Sequence, residues 1–396
     1  MNKKISLGLC LSLVILAITA TFAVTMVYSK QIYNKIIGSI SQRSQTYDSV
    51  DEISRIISNY FYGTVEDYNA LGGSLAEGYV NGLGDENSRY LTADEYSDYT
   101  QRLEGGLTGC GIETVYVNRQ LVVACVYKGS PAAKEGIKKK DVIKKVNDIQ
   151  VSRNNYSILQ SAFYGSKLST VSLEFERDGE IKTAAPMLGF SIPSVTGELV
   201  NNVGYVRISG FYRNTKSEFE ETLDSLREDG AESFVFDVRG TSEGSVDYAC
   251  QVIDVVVSGQ SNMAVCKDKN GNFYKDKRFT TDSAYVKESM AVLINSETKG
   301  PAELFASDLQ NMSHAMLYGS KTAGNGTLQE IFTLDGGGAV LLTVALVEPS
   351  GGEAAVYNDV GIIPDVPVGD DSETSLLSHT EDAVLQAAVN ALSSNG

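Results

Sequence analysis

The feature that most constrains the fold is the alternation of strand-like and helix-like segments in the second half of the chain. From Ser191 onward, apolar runs such as "SFVFDV" and "MAVLIN" alternate with amphipathic stretches such as "NTKSEFEETLDSLRED". Short apolar runs bounded by turn residues indicate strands, and apolar residues that recur every three or four positions indicate helices. The alternation predicts a layered α/β core, in which helices cover a sheet.

A short polar turn in this half suggests a reactive site. The strand "MAVL" runs through "INSETKG" into a helix that opens with Pro301, a residue favoured at the first helical position. A nucleophile on such a turn would face the unpaired N–H groups of a helix N-terminus. The residue beside the proline is Gly300, which has no side chain that could attack a substrate.

Two other regions precede the α/β half. Residues 31–102 have helical periodicity, and Thr92 followed by Glu95 has the pattern of a capping box. Residues 103–188 are rich in strand formers, with a strand at "QLVVACVY", a short helix in "GSPAAKEG" and a hairpin about Asp178-Gly179. We expect a helical region followed by a small β-rich domain.

The N-terminus predicts a membrane anchor over residues 1–30. No charged residue lies between Ile5 and Tyr28, and this length is close to the roughly 20 residues of a membrane-spanning helix. Lys3 and Lys4 place the N-terminus in the cytoplasm and the remainder outside it. A cleaved signal peptide is the alternative, but the apolar run is long for one and no clear cleavage site follows.

Composition argues against several classes of partner and cofactor. With 50 acidic and 33 basic residues, the formal charge is −17, which disfavours nucleic acid and anionic membrane surfaces as partners. Metal-ligand spacings and phosphate-binding glycine loops are missing from the sequence, so no cofactor is expected. Four widely spaced cysteines are interpreted as small core residues: Cys110, Cys125, Cys250 and Cys266.

Together these stretches resemble the C-terminal processing peptidases, or tail-specific proteases, which are serine peptidases with an inserted PDZ domain. "GLGDENSRYLTADEY" is similar to the segment before the PDZ domain, and "GCGIETV" with "VYKGSPAAKEGIKKKDVIKKVNDIQV" looks like that domain. "FVFDVRG", "AVLIN" with "AELFASDLQ", and "LYGSKTAGNGTLQEIF" look like the catalytic core. The resemblance covers most of the chain beyond the anchor. It implies a PDZ domain over residues 103–188 and a protease-like core over residues 189–396.

The resemblance also implies that the catalytic side chains are missing. Family members use a Ser–Lys pair, in which a neutral lysine takes the proton of the attacking serine. The serine position, three residues before Glu303, is occupied by Gly300, and the lysine position by Asn325. An Asp or Gln helper falls on Gln310 or Asn311, most often on the latter. The chain therefore resembles a peptidase without its nucleophile or base.

The loop implied to form the oxyanion hole departs from the family as well. Members have Asn-Pro-Gly-Gly after Asp-x-Arg-Gly, whereas this chain has Thr-Ser-Glu-Gly at residues 241–244. By resemblance, Gly240 and Gly244 mark the oxyanion region. A carboxylate at Glu243 would oppose the negative charge that develops there during acyl transfer.

A displaced nucleophile is the enzymatic alternative, and it has four candidate residues: Ser296 or Thr298, with Lys299 or Lys321 as the base. A nucleophile must lie within about 3 Å of its base, and a shift along the turn would direct its side chain elsewhere. We therefore favour solvated turn residues. The two histidines, His314 and His379, have no visible serine partner and are interpreted as structural or exposed.

The PDZ resemblance supplies a binding mechanism. In such domains a peptide C-terminus pairs with a strand edge while the N–H groups of a glycine-rich loop hold its carboxylate. The loop positions are Gly109, Cys110, Gly111 and Ile112, and the candidate wall residues on the neighbouring helix are Ile158, Leu159 and Phe163. The alternative is a domain that only braces the core.

These observations predict a membrane-anchored homologue of the tail-specific proteases that works outside the cytoplasm without cutting. Its expected partners are protein C-termini or unfolded polypeptide, and an active peptidase paralogue is a further candidate. An active endopeptidase with a displaced nucleophile, and a structural partner in an envelope complex, are the alternatives.

Overall fold

The computed structural model describes most of the chain beyond residue 45. The described residues are 16, 21–22, 24–26, 29, 46–165, 169–257, 262–280, 287–369 and 376–393. The predicted anchor over residues 5–28, with Cys10, lies mostly outside them. In the part of the chain that is described, no helix has both the length and the apolar character needed to cross a membrane.

The chain divides into two units, residues 1–72 and 73–396. The first helices are α1 (residues 46–60) and α2 (Tyr68–Asn81). A short strand, β1 (Arg89–Leu91), precedes α3 (Ala93–Gly105). The predicted capping box is confirmed, because the Glu95 N–H donates to Thr92 Oγ1 and the Thr92 N–H donates to Glu95 Oε2 at 2.9 Å.

The β-rich region contains a six-stranded antiparallel sheet, ordered β3-β4-β5-β7-β8 with β6 beside β5, and a separate β2–β9 pair. Its strands are β2 (Leu107–Gly109), β3 (Ile112–Val117), β4 (Gln120–Val126), β5 (Val142–Val146), β6 (Ile149–Gln150), β7 (Leu173–Arg177), β8 (Glu180–Ala184) and β9 (Phe190–Ile192). Two short helices are α4 (Pro131–Lys134) and α5 (Tyr156–Ser161). The predicted hairpin is confirmed: Asp178 and Gly179 both have positive φ, as a tight two-residue turn requires.

The α/β half contains the remaining strands: β10 (Val195–Val200), β11 (Val203–Ile208), β12 (Ser233–Asp237), β13 (Asn262–Lys267), β14 (Phe273–Thr280), β15 (Ser289–Ile294), β16 (Met316–Gly319), β17 (Thr327–Thr333), β18 (Ala339–Pro349) and β19 (Val366–Pro367). Its helices are α6 (Thr215–Glu228), α7 (Val246–Val256), α8 (Pro301–Ser313) and α9 (Ala383–Ser393), and a 3₁₀ turn spans Gly352–Ala355.

The central sheet has the order β10-β11-β12-β15-β16-β19, and every pair except β10–β11 is parallel. Helices α6 and α8 connect parallel neighbours, and α7 lies on the connection from β12 to β15, which also includes β13 and β14. These three helices share one apolar core with the sheet, while α9 packs with the opposite face. Phe219, Leu223 and Leu226 show why α6 forms, since this spacing places three buried side chains on one helical face. The predicted layered core is thus observed.

A second sheet, ordered β1-β18-β13-β14 with β17 beside β18, lies alongside the core. Its edge strand β1 lies between α2 and α3, and no local pattern in the sequence predicted a strand there. Three residues are too few to show a period, and β1 exists because it pairs with β18, about 250 positions later in the sequence.

Candidate functional site

The turn between β15 and α8 lies at the carboxyl end of the central sheet, where ligands bind in open α/β folds. Gly300 has φ 63° and ψ −118°, a conformation that side-chain-bearing residues adopt only under strain. A Cβ at this position would have one neighbour within 4 Å, Asn325 Nδ2 at 3.6 Å. The structure therefore places positions 300 and 325 side by side.

Glu303 holds the two halves of this site together. Its carboxylate is fully buried and accepts the N–H groups of Gly300 at 3.0 Å, Gly324 at 2.6 Å and Asn325 at 2.7 Å, as well as the Thr322 hydroxyl. Backbone donors from two distant segments thus converge on one carboxylate. This arrangement fixes the start of α8 against the segment that carries Asn325.

The Asn325 side chain belongs to a polar chain that the sequence did not reveal. Its Oδ1 accepts hydrogen bonds from Asn87 Nδ2 at 3.2 Å and from the Thr327 hydroxyl at 2.5 Å. Gln329 Nε2 in turn donates to Thr327 Oγ1 at 2.6 Å. Asn87 lies 238 positions from Asn325, so no local pattern could have linked them.

The predicted helper positions do not belong to this cluster. Asn311 lies eleven residues after Gly300 on α8, roughly 16 Å along the helix axis at 1.5 Å per residue. Its amide donates to Ser307 Oγ at 3.3 Å, and the Gln310 amide donates to Asp365. The structure thus does not bring Gln310 or Asn311 to position 325, and Gln329 is connected to it through Thr327.

Thr298 is not available as a displaced nucleophile. Its side chain is fully buried, and its hydroxyl accepts the Asn295 N–H at 3.0 Å and donates to the Val238 carbonyl at 3.0 Å. These bonds join the turn after β15 to the loop after β12. Thr298 is therefore a structural residue.

The other candidates for a displaced pair lie on or near the surface. Ser296 and Lys321 are exposed, while the Lys299 side chain is partly buried. The Lys299 N–H donates to the Thr241 carbonyl at 2.9 Å, which ties this turn to the loop after β12. Ser296 is thus the remaining candidate nucleophile of the alternative interpretation.

A backbone donor of the implied oxyanion loop is used in a hydrogen bond within the protein. The Gly240 N–H donates to Asn295 Oδ1 at 2.9 Å, so this donor is not free for a substrate oxygen, contrary to expectation. Gly244 packs so closely that a Cβ would lie 2.3 Å from the Phe211 carbonyl oxygen. Gly240 therefore does not offer the free oxyanion donor that the resemblance implied, because its N–H is already used.

Glu243 faces the β-rich region. It lies 3.9 Å from the Arg102 guanidinium in a half-exposed ion pair, a type that contributes little to stability. Both residues line a cavity of about 520 Å³ together with Thr108 and Tyr164. The cavity therefore connects the loop after β12 with the entrance of the implied peptide loop.

The implied carboxylate-binding loop is packed shut by its own surroundings. Gly109, Cys110, Gly111 and Ile112 are all buried. The Cys110 N–H donates to the Phe163 carbonyl at 2.9 Å, and burial raises the pKa of the Cys110 thiol to about 11. In this conformation the Cys110 N–H is not directed at a peptide carboxylate.

The groove beside this loop is bridged by side chains. Strand β3 is an edge of its sheet among the described strands, and Gln160 on α5 donates to the Thr114 carbonyl on β3 at 2.9 Å. The rings of Tyr116 and Tyr156 stack with centroids 4.1 Å apart. A peptide that pairs with β3 would have to displace these contacts.

The predicted groove wall needs correction. Leu159 and Phe163 are buried in the core of the β-rich region, whereas Ile158 is 72% exposed. Helix α5 begins at Tyr156, and residues four apart share a face, so Tyr156 and Gln160 are the residues that face β3.

The remaining candidate residues have structural positions. His314 is exposed and ends α8 in the left-handed conformation, and His379 Nδ1 lies 3.7 Å from Glu198. Cys110, Cys250 and Cys266 are buried free thiols, as predicted, while Cys125 is only partly buried. Within the described ranges, no group of His, Cys, Asp or Glu side chains is arranged to hold a metal.

Comparison with known proteins gives two family matches along the chain. The model of peptidase family S41 matches residues 202–368, and that of the PDZ domain matches residues 109–186. The carboxy-terminal processing protease CtpA of Bacillus subtilis (strain 168) is 28% identical over 336 residues, which covers 84% of this chain and 72% of that protein. The chain is therefore homologous to the CtpA C-terminal processing proteases.

Other similarities agree with this homology. A probable CtpA-like serine protease of Staphylococcus aureus (strain COL) is 26% identical, with coverage of 90% of this chain and 72% of that protein. The solved photosystem II D1 C-terminal processing protease aligns with a TM-score of 0.52 at 22% identity, covering 84% of this chain and 90% of that one. A putative S41 protease from Bacteroides fragilis aligns with a TM-score of 0.58 at 17% identity, covering 87% and 97%. At these identities the two structures show a shared fold.

Proposed function

We propose that this homologue of the C-terminal processing proteases captures protein C-termini or unfolded polypeptide without cutting them. The observation that carries the proposal is the pairing at the head of α8: Gly300 faces Asn325, where the family has a serine and a lysine. Glycine has no nucleophile, and an amide cannot take the proton of a hydroxyl as a neutral amine can.

Backbone donors near the turn support the absence of catalysis. The N–H groups of Gly240 and Gly300 are both donated to side chains, those of Asn295 and Glu303. An oxyanion hole needs donors that are free and aimed at the developing charge. Loss of a nucleophile alone lowers turnover by several orders of magnitude, and here further elements have changed with it.

Capture is supported by the retained framework around the vacant positions. The Glu303 carboxylate still fixes both segments of the cleft, and a Cβ at Gly300 would meet only Asn325 Nδ2 within 4 Å. We further propose that residues 5–28 anchor the chain in a membrane and hold these domains outside the cytoplasm. An active peptidase paralogue that receives captured polypeptide is a compatible partner.

A structural role in an envelope complex is the second candidate. It is favoured by the closed PDZ groove, where Gln160 and the stacked Tyr116 and Tyr156 rings occupy the space that a peptide would take. The ion pair between Arg207 of β11 and Glu113 of β3, at 3.6 Å, also joins the PDZ domain to the core, as expected of a brace. In that case the chain binds no free C-terminus.

One experiment separates these possibilities. The full chain, purified in mild detergent, is mixed with an unfolded protein and a library of C-terminal peptides, and bound and cleaved species are read by mass spectrometry. The Gly300→Ser/Asn325→Lys double variant is run in parallel. We expect the natural chain to bind polypeptide and leave it intact. Cleavage by the natural chain would show that the enzymatic alternative is correct, and binding of nothing would favour the structural role.

A further inference from the structure

Asn325 carries an oriented side-chain hydrogen-bond donor beside Gly300. Its Oδ1 is engaged by Asn87 and Thr327, and its backbone N–H is held by Glu303 at 2.7 Å. The Nδ2 group points toward Gly300, 3.6 Å from where a Cβ would stand, and has no hydrogen-bond partner among the described residues. An amide oriented at one end therefore offers its two N–H donors at the other.

The orientation of this amide follows from its neighbours. Thr327 Oγ1 accepts a hydrogen bond from Gln329 Nε2, so the Thr327 hydroxyl hydrogen is directed to Asn325 Oδ1. Asn87 is held in turn by Asp85, whose Oδ1 accepts the Asn87 N–H at 3.1 Å. A donor fixed in advance loses little conformational entropy when it binds.

The chemistry of the site selects a polypeptide backbone. We propose that Asn325 Nδ2 donates a hydrogen bond to a main-chain carbonyl oxygen of an extended polypeptide that lies beside Gly300. The missing Cβ at Gly300 lets a backbone approach closely. The Glu303 carboxylate beneath the site disfavours a terminal carboxylate as the ligand, since like charges repel. The inference rests on the proposed capture function and names the group that performs it.

The sharpest variant is Asn325→Asp. It keeps an oxygen for Asn87 and Thr327, replaces the Nδ2 donor by an acceptor oxygen and adds a negative charge near the Glu303 carboxylate. We expect binding to weaken tenfold or more, because an acceptor would oppose the carbonyl, whereas Asn325→Ala should weaken it about three- to tenfold. Thr327→Val removes one of the two hydrogen bonds to Asn325 Oδ1 and should weaken binding about two- to threefold. Asn69→Ala, on the exposed surface of α2, is the matched control and should have no effect.

The measurement is fluorescence anisotropy of a fluorescein-labelled unstructured peptide, with a free or an amidated C-terminus, titrated with the full chain in detergent. Thermal unfolding of each variant shows that the fold is retained. Equal binding of both peptides, with loss in Asn325→Asp, supports the inference. If only the free acid responds to Asn325→Asp, the ligand is a carboxylate and the inference is overturned. If the natural chain binds and Asn325→Asp binds equally well, the inference fails while the capture function stands; if the natural chain binds neither peptide, both fail.

Discussion

The cleft at Gly300 and the PDZ loop at residues 109–112 both depend on glycine, but for opposite reasons. At Gly300 a Cβ would meet a single atom, at 3.6 Å. At Gly109 it would lie 2.4 Å from the Phe163 carbonyl oxygen, and at Gly111 it would lie 2.2 Å from Ser130 Cβ. Packing therefore requires glycine in the PDZ loop, whereas in the cleft glycine leaves space. Glycine thus avoids a steric clash in the PDZ loop, whereas a Cβ at position 300 would meet no such clash.

The largest expected effect on stability comes from replacing one glycine in each region by alanine. Gly111→Ala should lower the free energy of unfolding by about 3 to 5 kcal/mol, because overpacking adds to the strain of its φ of 85°. Gly300→Ala has strain but no clash and should cost about 1 to 2 kcal/mol. Urea unfolding of both variants measures the difference.

Gly109→Ala is the control for this pair, since Gly109 has no positive φ and tests the clash alone. Equal losses in Gly111→Ala and Gly300→Ala would show that backbone strain, rather than packing, sets the difference between the two regions.

Glu303→Gln tests the framework of the cleft and has the next largest expected effect. A glutamine amide has one acceptor oxygen, so its NH₂ group would face an N–H that the carboxylate now accepts. We expect a loss of about 1 to 3 kcal/mol in urea unfolding, together with weaker peptide binding. A variant as stable as the natural chain would mean that Glu303 does not hold the two segments together.

The pH dependence of stability tests the burial of the Asp308 carboxyl group on α8. Burial raises the pKa of Asp308 to about 8, and its Oδ2 has no hydrogen-bond partner. The folded state thus keeps a proton that the unfolded state releases near pH 4, and stability falls as pH rises from about 4 to about 8. Asp308→Asn should remove this slope and be more stable at pH 8 by about 1 kcal/mol or more. Chemical denaturation across this pH range measures it, and an unchanged slope would contradict the burial.

The smallest effect is expected in the PDZ groove. Gln160→Ala removes the bond to the Thr114 carbonyl and should cost about 0.5 to 1 kcal/mol of stability. It also frees the edge of β3, so a C-terminal peptide should bind about two- to threefold more tightly. Isothermal titration calorimetry detects this change, and a weaker interaction would show that Gln160 contacts the peptide itself.

Local patterns predicted much of this fold. The capping box at Thr92, the hairpin at Asp178-Gly179 and the strands and helices of the core follow from residues close in sequence. The resemblance implied that positions 300 and 325 are close together, and the structure places them side by side.

Contacts between distant segments could not be predicted in this way. Asn87 donates a hydrogen bond to Asn325, and Asn295 accepts one from the Gly240 N–H, because the folded chain brings their loops together. The resemblance implied a helper on α8 at Gln310 or Asn311, whereas Gln329 on β17 is connected to position 325 through Thr327. Sequence also cannot show whether a glycine is required or merely present, as Gly111 and Gly300 illustrate.

The central claim is that this cleft has no nucleophile, and covalent labelling tests it most directly. The natural chain and the Gly300→Ser/Asn325→Lys variant are treated with a fluorophosphonate, and their intact masses and labelled peptides are measured. We predict that the natural chain stays unmodified while the double variant gains one label at position 300. A label on Ser296 or Thr298 of the natural chain would contradict the account and identify the nucleophile of an active peptidase.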